Sequence, residues 1–190
     1  MLLLVGLGNP GSDYTNTRHN IGFKIIDAIN LHFKLSKQKP KFKGLLTTGN
    51  IEEKKIYAIK PLTFMNNSGT AIKELIDYFK IDAKDVIVFH DDMDIDFGKI
   101  KAKFGGSSAG HNGIESIDKF IGKEYSRVRI GIGHPKQKKK VNNHVLEDFK
   151  EDEEEKIKEI TENIVKQIPT LIDKKIDLFS SKVNQNLNGI

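Results

Sequence analysis

Two histidine motifs, a run of carboxylates and several asparagines carry most of the chemistry available to this sequence. His19 stands in Thr17-Arg18-His19-Asn20, directly before apolar residues at Ile21, Ile25, Ile26, Ile29 and Phe33, a helical spacing. A histidine at a helix N-terminus meets the positive end of the helix dipole, which disfavours imidazolium. A carboxylate beside the ring would orient it and stabilise the proton once taken, giving a general base usable near neutral pH. His90-Asp91-Asp92-Met93-Asp94, closing the β-branched and aromatic run from Val86 to Phe89, offers such a carboxylate. The same acidic run would suit Mg²⁺ and phosphoryl chemistry, but no second acidic loop completes such a site. Each motif also has an ordinary reading, the histidine as a cap or surface residue and the acids as a solvated turn.

Three loops surround these candidates. Gly6-Leu7-Gly8-Asn9-Pro10-Gly11 follows an apolar strand and matches a dinucleotide fingerprint literally. Pro10 and the stretch to His19 defer the helix to Ile21, and Asp27 falls within that helix, so the acidic residue of a nucleotide site is missing. The better reading is a tight loop that puts Asn9 at the strand's C-terminal edge, where open α/β sheets bind ligands. Pro61 to Gly69 joins a strand to a helix. Asn66 offers a donor and an acceptor together, and Phe64 and Met65 offer apolar faces for a base or ring. Gly105 to Gly113 enters a helix, lacks the lysine of a phosphate-binding P-loop, and places Ser107 and Ser108 outside a nucleophile elbow.

Charge points the same way. The chain of 190 residues carries a formal net charge of +5, although seven carboxylates crowd between Glu147 and Glu155. The remainder is therefore strongly basic, which suits a polyanionic partner. Lys99, Lys101 and Lys103 alternate along one strand, and Arg127 and Arg129 along another; two such basic stripes can make a phosphate clamp, with solvated faces as the ordinary alternative. The basic run from Lys136 to Lys140 reads as a solubility or loose RNA-contact segment. Cysteine is absent, which excludes disulfides, thiolate metal sites and a cysteine nucleophile. The opening apolar run has no basic region before it and breaks at Gly6, so it reads as a strand rather than a signal peptide. No apolar stretch approaches the roughly 20 residues that span a membrane.

The elements that must position these groups alternate. Strands are expected at 2–7, 44–49, 55–60, 86–89, 100–104 and 127–133, and helices at 21–33, 68–79, 114–121, 151–167 and, after Pro169, 170–179. Ser68 is expected to cap its helix. This is a single α/β domain over residues 1–180, a mixed, mostly parallel twisted sheet with helices on both faces. Residues 181–190 read as a polar, flexible tail.

At this point the motifs converge. The glycine loop at 6–11, Tyr14, Thr17 to Gly22, Thr63-Phe64-Met65-Asn66, His90-Asp91, Gly110-His111-Asn112-Gly113 and Arg129 to Pro135 together resemble bacterial peptidyl-tRNA hydrolase, in order and spacing, over about residues 1–180. The resemblance implies a monomeric, cytoplasmic, metal-free and cofactor-free hydrolase that cuts the ester between a peptide and the tRNA 3′ ribose, with no obligatory protein partner and no membrane. It implies His19 as the base that activates water and Asp91 as its supporting carboxylate. Asn9, Asn66 and Asn112 would hold the substrate and the attacking water, with Tyr14 and Met65 lining the cleft. Lys101, Lys103 and Arg129 would grip acceptor-stem phosphates. The developing oxyanion would need a hydrogen-bond donor, and Asn9 or Asn112 is expected to supply it. The sequence departs from the family at Ser107-Ser108-Ala109, where a histidine is usual, and at Asn143-His144 in the lid segment.

Overall fold

The apolar run at the start of the chain is buried along its whole strand, because that strand lies mid-sheet between helices on both faces. The structure, a computed structural model, describes residues 1–135 and 141–187; the basic run Lys136–Lys140 lies outside the described residues. Strands β1 (Leu2–Gly6), β2 (Lys39–Lys41), β3 (Gly44–Ile51), β4 (Lys54–Pro61), β5 (Val86–Asp92), β6 (Ile100–Phe104) and β7 (Ser126–Gly131) form one sheet in the order β2-β3-β4-β1-β5-β7-β6. The β4-β1-β5-β7 core is parallel, and β2, β3 and β6 add antiparallel edges.

Helices α1 (Ile21–His32), α5 (Glu151–Ile172) and α6 (Ile176–Leu187) cover one face, closing a core that includes Leu2, Leu4, Ile25, Phe89, Ile130, Ile160 and Ile168. Helices α2 (Ser68–Phe79) and α3 (Asn112–Ile121) cover the other, over Leu3, Val5, Ile72, Leu75, Val88 and Ile117. A short helix α4 (Val141–His144) precedes α5. The chain leaves β1 between β4 and β5, the point where strand order reverses, and the C-terminal ends of parallel strands open a crevice there.

The approach of α1 to that point depends on glycine. A Cβ at Gly22 would lie 2.4 Å from both Leu7 N and Phe89 O, and one at Gly6 would lie 2.2 Å from Gly22 O. Only bare backbone lets the start of α1 sit directly on β1 and β5, and that contact carries the residues just before α1 to the end of β5.

Several expectations need correction. Ser68 does not cap α2: its hydroxyl donates to the Met65 carbonyl at 2.8 Å, and the position before the helix is Asn67. Pro169 does not divide two helices but sits inside α5, where Ile164, Val165, Ile168, Leu171 and Ile172 are buried on both sides of it. Burial of that continuous stripe outweighs the local disfavour for proline. The expected tail is ordered as helix to Leu187. Val183 is fully buried, and Asn184 Oδ1 and Ser180 Oγ accept the N–H groups of Ile100 and Ala102. Polar residues read as loose chain are instead satisfying the open edge of β6.

Candidate active site

Three segments meet at the crevice: the loop after β1, the turn at Arg18–Asn20 that leads into α1, and the end of β5. His19 is 6% exposed and Asp91 1%. His19 Nδ1 lies 2.8 Å from Asp91 Oδ1, so the ring donates Nδ1–H to the carboxylate and leaves Nε2 as its proton-accepting atom. Burial opposes a charged ring, but the Asp91 charge and its hydrogen bond outweigh burial, and the His19 pKa stands above its ordinary value. For Asp91, burial favours the neutral acid, yet the His19 and His111 rings win and hold the carboxyl well below the usual range. The helix dipole invoked from sequence is thus overridden by the ion pair.

A second histidine shares the same oxygen. His111 Nε2 lies 3.0 Å from Asp91 Oδ1, and its Nδ1 accepts N–H bonds from Gly113 at 3.1 Å and Ile114 at 3.3 Å as the cap of α3. Those two donors fix the tautomer: Nδ1 has no proton, so Nε2–H donates to Asp91. The cluster His19, Asp91, His111 has the residue types of a metal site, with its ligand atoms within 4.8 Å of one another. Its lone pairs are committed otherwise, since His111 spends one nitrogen on backbone amides and the other on a proton. Sequence reasoning put His111 in a motif without a role; the signal was a histidine at the mouth of a helix, the same signal that marked His19. Beneath them His90 is fully enclosed and donates Nδ1–H to the Asp91 carbonyl at 2.7 Å. Burial holds its pKa well below the ordinary value, aided by the neighbouring His111.

Asn9 is fixed on every side. Asn20 accepts from Asn9 N and donates to Asn9 O, both at 2.9 Å, and Asn9 Oδ1 accepts from Met65 N at 2.9 Å. With its carbonyl oxygen engaged, the Asn9 side chain keeps its N–H₂ donors for the cavity. Asn20 is the second residue that sequence reasoning left without a role.

A cavity of about 370 Å³ opens above these groups. Asn9, His19, Met65, Asn66, Asp91 and Asn112 all line it, so six of the expected site residues come together. Tyr14 does not: it sits half-buried in the turn after β1 and is not among the lining residues. Phe64, Met93, Val145 and Leu146 add apolar walls, and Ser108 and Ala109 bring in the loop that departs from the family pattern. Val145 and Leu146 belong to the segment after α4. It is tied to the His19 turn through His19 N to Val145 O at 2.8 Å and Arg18 Nη1 to Asp148 O at 2.8 Å. His144, at the other departure, packs in place with Nε2 3.3 Å from Ile132 O.

The basic stripes separate. Lys101 pairs across the sheet with Arg129, and Lys103 with Arg127, so all four share a face. Arg127 does not reach solvent: it is 1% exposed, donates to Asp118 Oδ1 and to Ser107 O, and lies over the Tyr125 ring. Its expected role in a phosphate clamp is therefore corrected: α3 and the glycine loop fold over it and use it as an internal cross-link. Lys101 is exposed and Lys103 and Arg129 are half-buried, and Arg129 meets the cavity wall through its bond to Asp92.

Comparison with known proteins gives concordant matches. The sequence model of the family described as peptidyl-tRNA hydrolase matches residues 3–189. A peptidyl-tRNA hydrolase of Pelagibacter ubique (strain HTCC1062) is 74% identical over 184 residues, covering 97% of this chain and 99% of the relative. One from Ehrlichia ruminantium (strain Welgevonden) is 46% identical, covering 95% and 93%. The crystal structure of peptidyl-tRNA hydrolase from Acinetobacter baumannii superposes with a TM-score of 0.90 at 34% identity, covering 97% of this chain and 94% of that one.

Proposed function

From the premise that this chain belongs to the peptidyl-tRNA hydrolase family, we propose that it hydrolyses the ester between a peptide and the tRNA 3′ ribose with water activated by His19 and Asp91. The observation that carries the mechanism is the Nδ1–H bond from His19 to Asp91 at the floor of the cavity. His19 Nε2 takes a proton from water as the water oxygen attacks the ester carbonyl. Asp91 stabilises the imidazolium, and the same ring then returns the proton to the departing ribose oxygen. The products are a peptide acid and tRNA with a free ribose hydroxyl. The negative charge that builds on the carbonyl oxygen needs a fixed donor. Asn9 Nδ2 suits it, because the Met65 amide and Asn20 hold the rest of that residue. Asn112 lines the same cavity and is assigned, with Asn66 and Met65, to holding the substrate and water. An ester carbonyl is electrophilic enough that a base suffices, so no metal or cofactor enters the reading.

Lys101, Lys103 and Arg129 are assigned to the tRNA backbone. They share one face of the β6-β7 pair, Arg129 reaches the cavity wall through Asp92, and Lys103 is held below its ordinary pKa by partial burial and by the nearby Arg129 and Arg127. A monomer working in the cytoplasm, where its substrate arises, completes the proposal. Among the described residues no helix is long and apolar enough to cross a membrane.

Selectivity tests the reading. Each carboxylate lining the cavity already has a partner: Asp91 with the two histidines, Asp92 with Arg129, Asp94 with His134. A free α-ammonium would shed its hydration there without an anion of its own, whereas a peptide amide finds asparagine partners. N-acetylaminoacyl-tRNA is expected to be cleaved, with chelator present, far faster than aminoacyl-tRNA. Equal rates on the two substrates would contradict the assignment of the cavity.

A further inference from the structure

Asp92 sits between the catalytic groups and the basic face, and neither role accounts for it. It follows Asp91 on β5 and lines the cavity. Its Oδ2 accepts Arg129 Nε–H at 2.7 Å, and its Oδ1 accepts the Asp94 amide at 2.9 Å. Its side chain is 8% exposed and that of Arg129 is 19% exposed, so the pair is held in a partly dry setting rather than waving in solvent. Among the described residues, the terminal nitrogens of Arg129 take no hydrogen bond.

We propose that Asp92 is a positioning residue that fixes the Arg129 guanidinium by its Nε edge, so that the two terminal nitrogens present a preset fork to a tRNA phosphate. The inference rests on the reading of Arg129 as a backbone contact. A guanidinium binds phosphate best through two parallel N–H bonds, which requires its plane to be set. An arginine on a free stem pays rotamer entropy to reach that geometry. Asp92 removes that cost, because its own carboxylate is locked at the second oxygen by a backbone amide. A charge of opposite sign this close also weakens the field that Arg129 offers to any passing anion. The fork therefore gains placement at some expense of general attraction. The same strand carries Asp91, so the carboxylate that holds Arg129 and the carboxylate that holds His19 are registered to each other through one residue step of backbone.

The two consequences separate by substitution. Asp92→Ala removes both the placement and the opposing charge; Asp92→Asn keeps one oxygen that can accept Arg129 Nε–H and removes the charge, while its NH₂ gives up the bond from the Asp94 amide. With full-length N-acetylaminoacyl-tRNA, Asp92→Ala is expected to raise KM at least about threefold at unchanged kcat, a fraction of one charged hydrogen bond. Asp92→Asn, which keeps the acceptor for Arg129 but not the lock on the second atom, is expected to raise KM less than Asp92→Ala does. A minimal substrate carrying only the 3′-terminal nucleotides should be cleaved alike by all three proteins, and Asp92→Ala added to Arg129→Ala should cost nothing more. Equal impairment of Asp92→Ala and Asp92→Asn would overturn the proposal, as would a defect of the same size on the minimal substrate, which would place Asp92 in the chemistry. Arg129→Ala distinguishes the layers. If it raises KM while Asp92→Ala does not, the positioning role alone fails. If Arg129→Ala leaves KM for full-length tRNA unchanged, the phosphate assignment fails and the positioning role with it.

Discussion

Asn20 and Asn9 hold each other by two reciprocal hydrogen bonds, one from the Asn9 amide to Asn20 Oδ1 and one from Asn20 Nδ2 to the Asn9 carbonyl, each 2.9 Å long. Both residues are buried, so a bond lost between them leaves a polar group largely shielded from solvent. Asn20 follows His19 directly, and the pair therefore ties the residue proposed to stabilise the oxyanion to the residue proposed as base.

Asn20→Ala is expected to act on the chemistry without touching substrate. It strands the N–H and C=O of Asn9, each worth about 1–3 kcal/mol when left buried and unpaired. The measurable outcome is a lower unfolding midpoint together with a fall in kcat of about tenfold or more, while KM for tRNA stays near its wild-type value. A loss of stability with kcat intact would mean that the Asn9 position does not depend on Asn20.

Asp91→Asn should move the pH profile in a defined direction. The Asp91 charge raises the His19 pKa against the effect of burial. A base works when unprotonated, so wild-type kcat/KM should climb through an ionisation above the ordinary histidine value of about 6.5. Without the charge, burial is left to act alone and the ring loses its proton at lower pH. The variant should therefore reach its plateau at a more acidic midpoint and at a lower height, since the imidazolium formed in the reaction is less stabilised. An unchanged midpoint would show that the ionisation belongs to another group.

Arg127 should behave as a stability residue. Its guanidinium is buried against Asp118, Ser107 O and the Tyr125 ring. Arg127→Ala leaves Asp118 without its cation, and breaking a buried pair this way costs about 3–5 kcal/mol. Urea unfolding should register that loss, and KM measured where the variant is folded should show no reduction in salt dependence. A loss of about one phosphate contact in the salt slope, with stability unchanged, would return Arg127 to the tRNA face.

The sheet and its two helical layers were legible because apolar periodicity reports burial directly: Leu2 to Val5, Ile72 to Ile76 and Val86 to Phe89 read as they fold. His19 and Asp91 were legible as candidates because each stands where an element begins or ends. Their distance was not, since it depends on Gly6 and Gly22 meeting backbone to backbone across 16 positions of sequence. The fate of Arg127 was hidden for a related reason. Alternation assigns a side chain to a face of the sheet, and only tertiary structure says that α3 and the glycine loop cover that part of the face. The segment after 180 misled because its polar residues, Ser180 and Asn184, are employed on the β6 edge rather than in water. His111 and Asn20 were in view but silent, because each acts by holding another residue.

The proposed mechanism stands or falls on the His19 ring. Single-turnover cleavage and equilibrium binding of peptidyl-tRNA should be measured side by side on His19→Ala. The imidazole supplies the proton acceptor, while the phosphate contacts are assigned to Lys101, Lys103 and Arg129. Cleavage is expected to fall by at least about 10²-fold with the dissociation constant nearly unchanged. Cleavage near the wild-type rate would contradict the account, and loss of binding in step with cleavage would make His19 a structural residue.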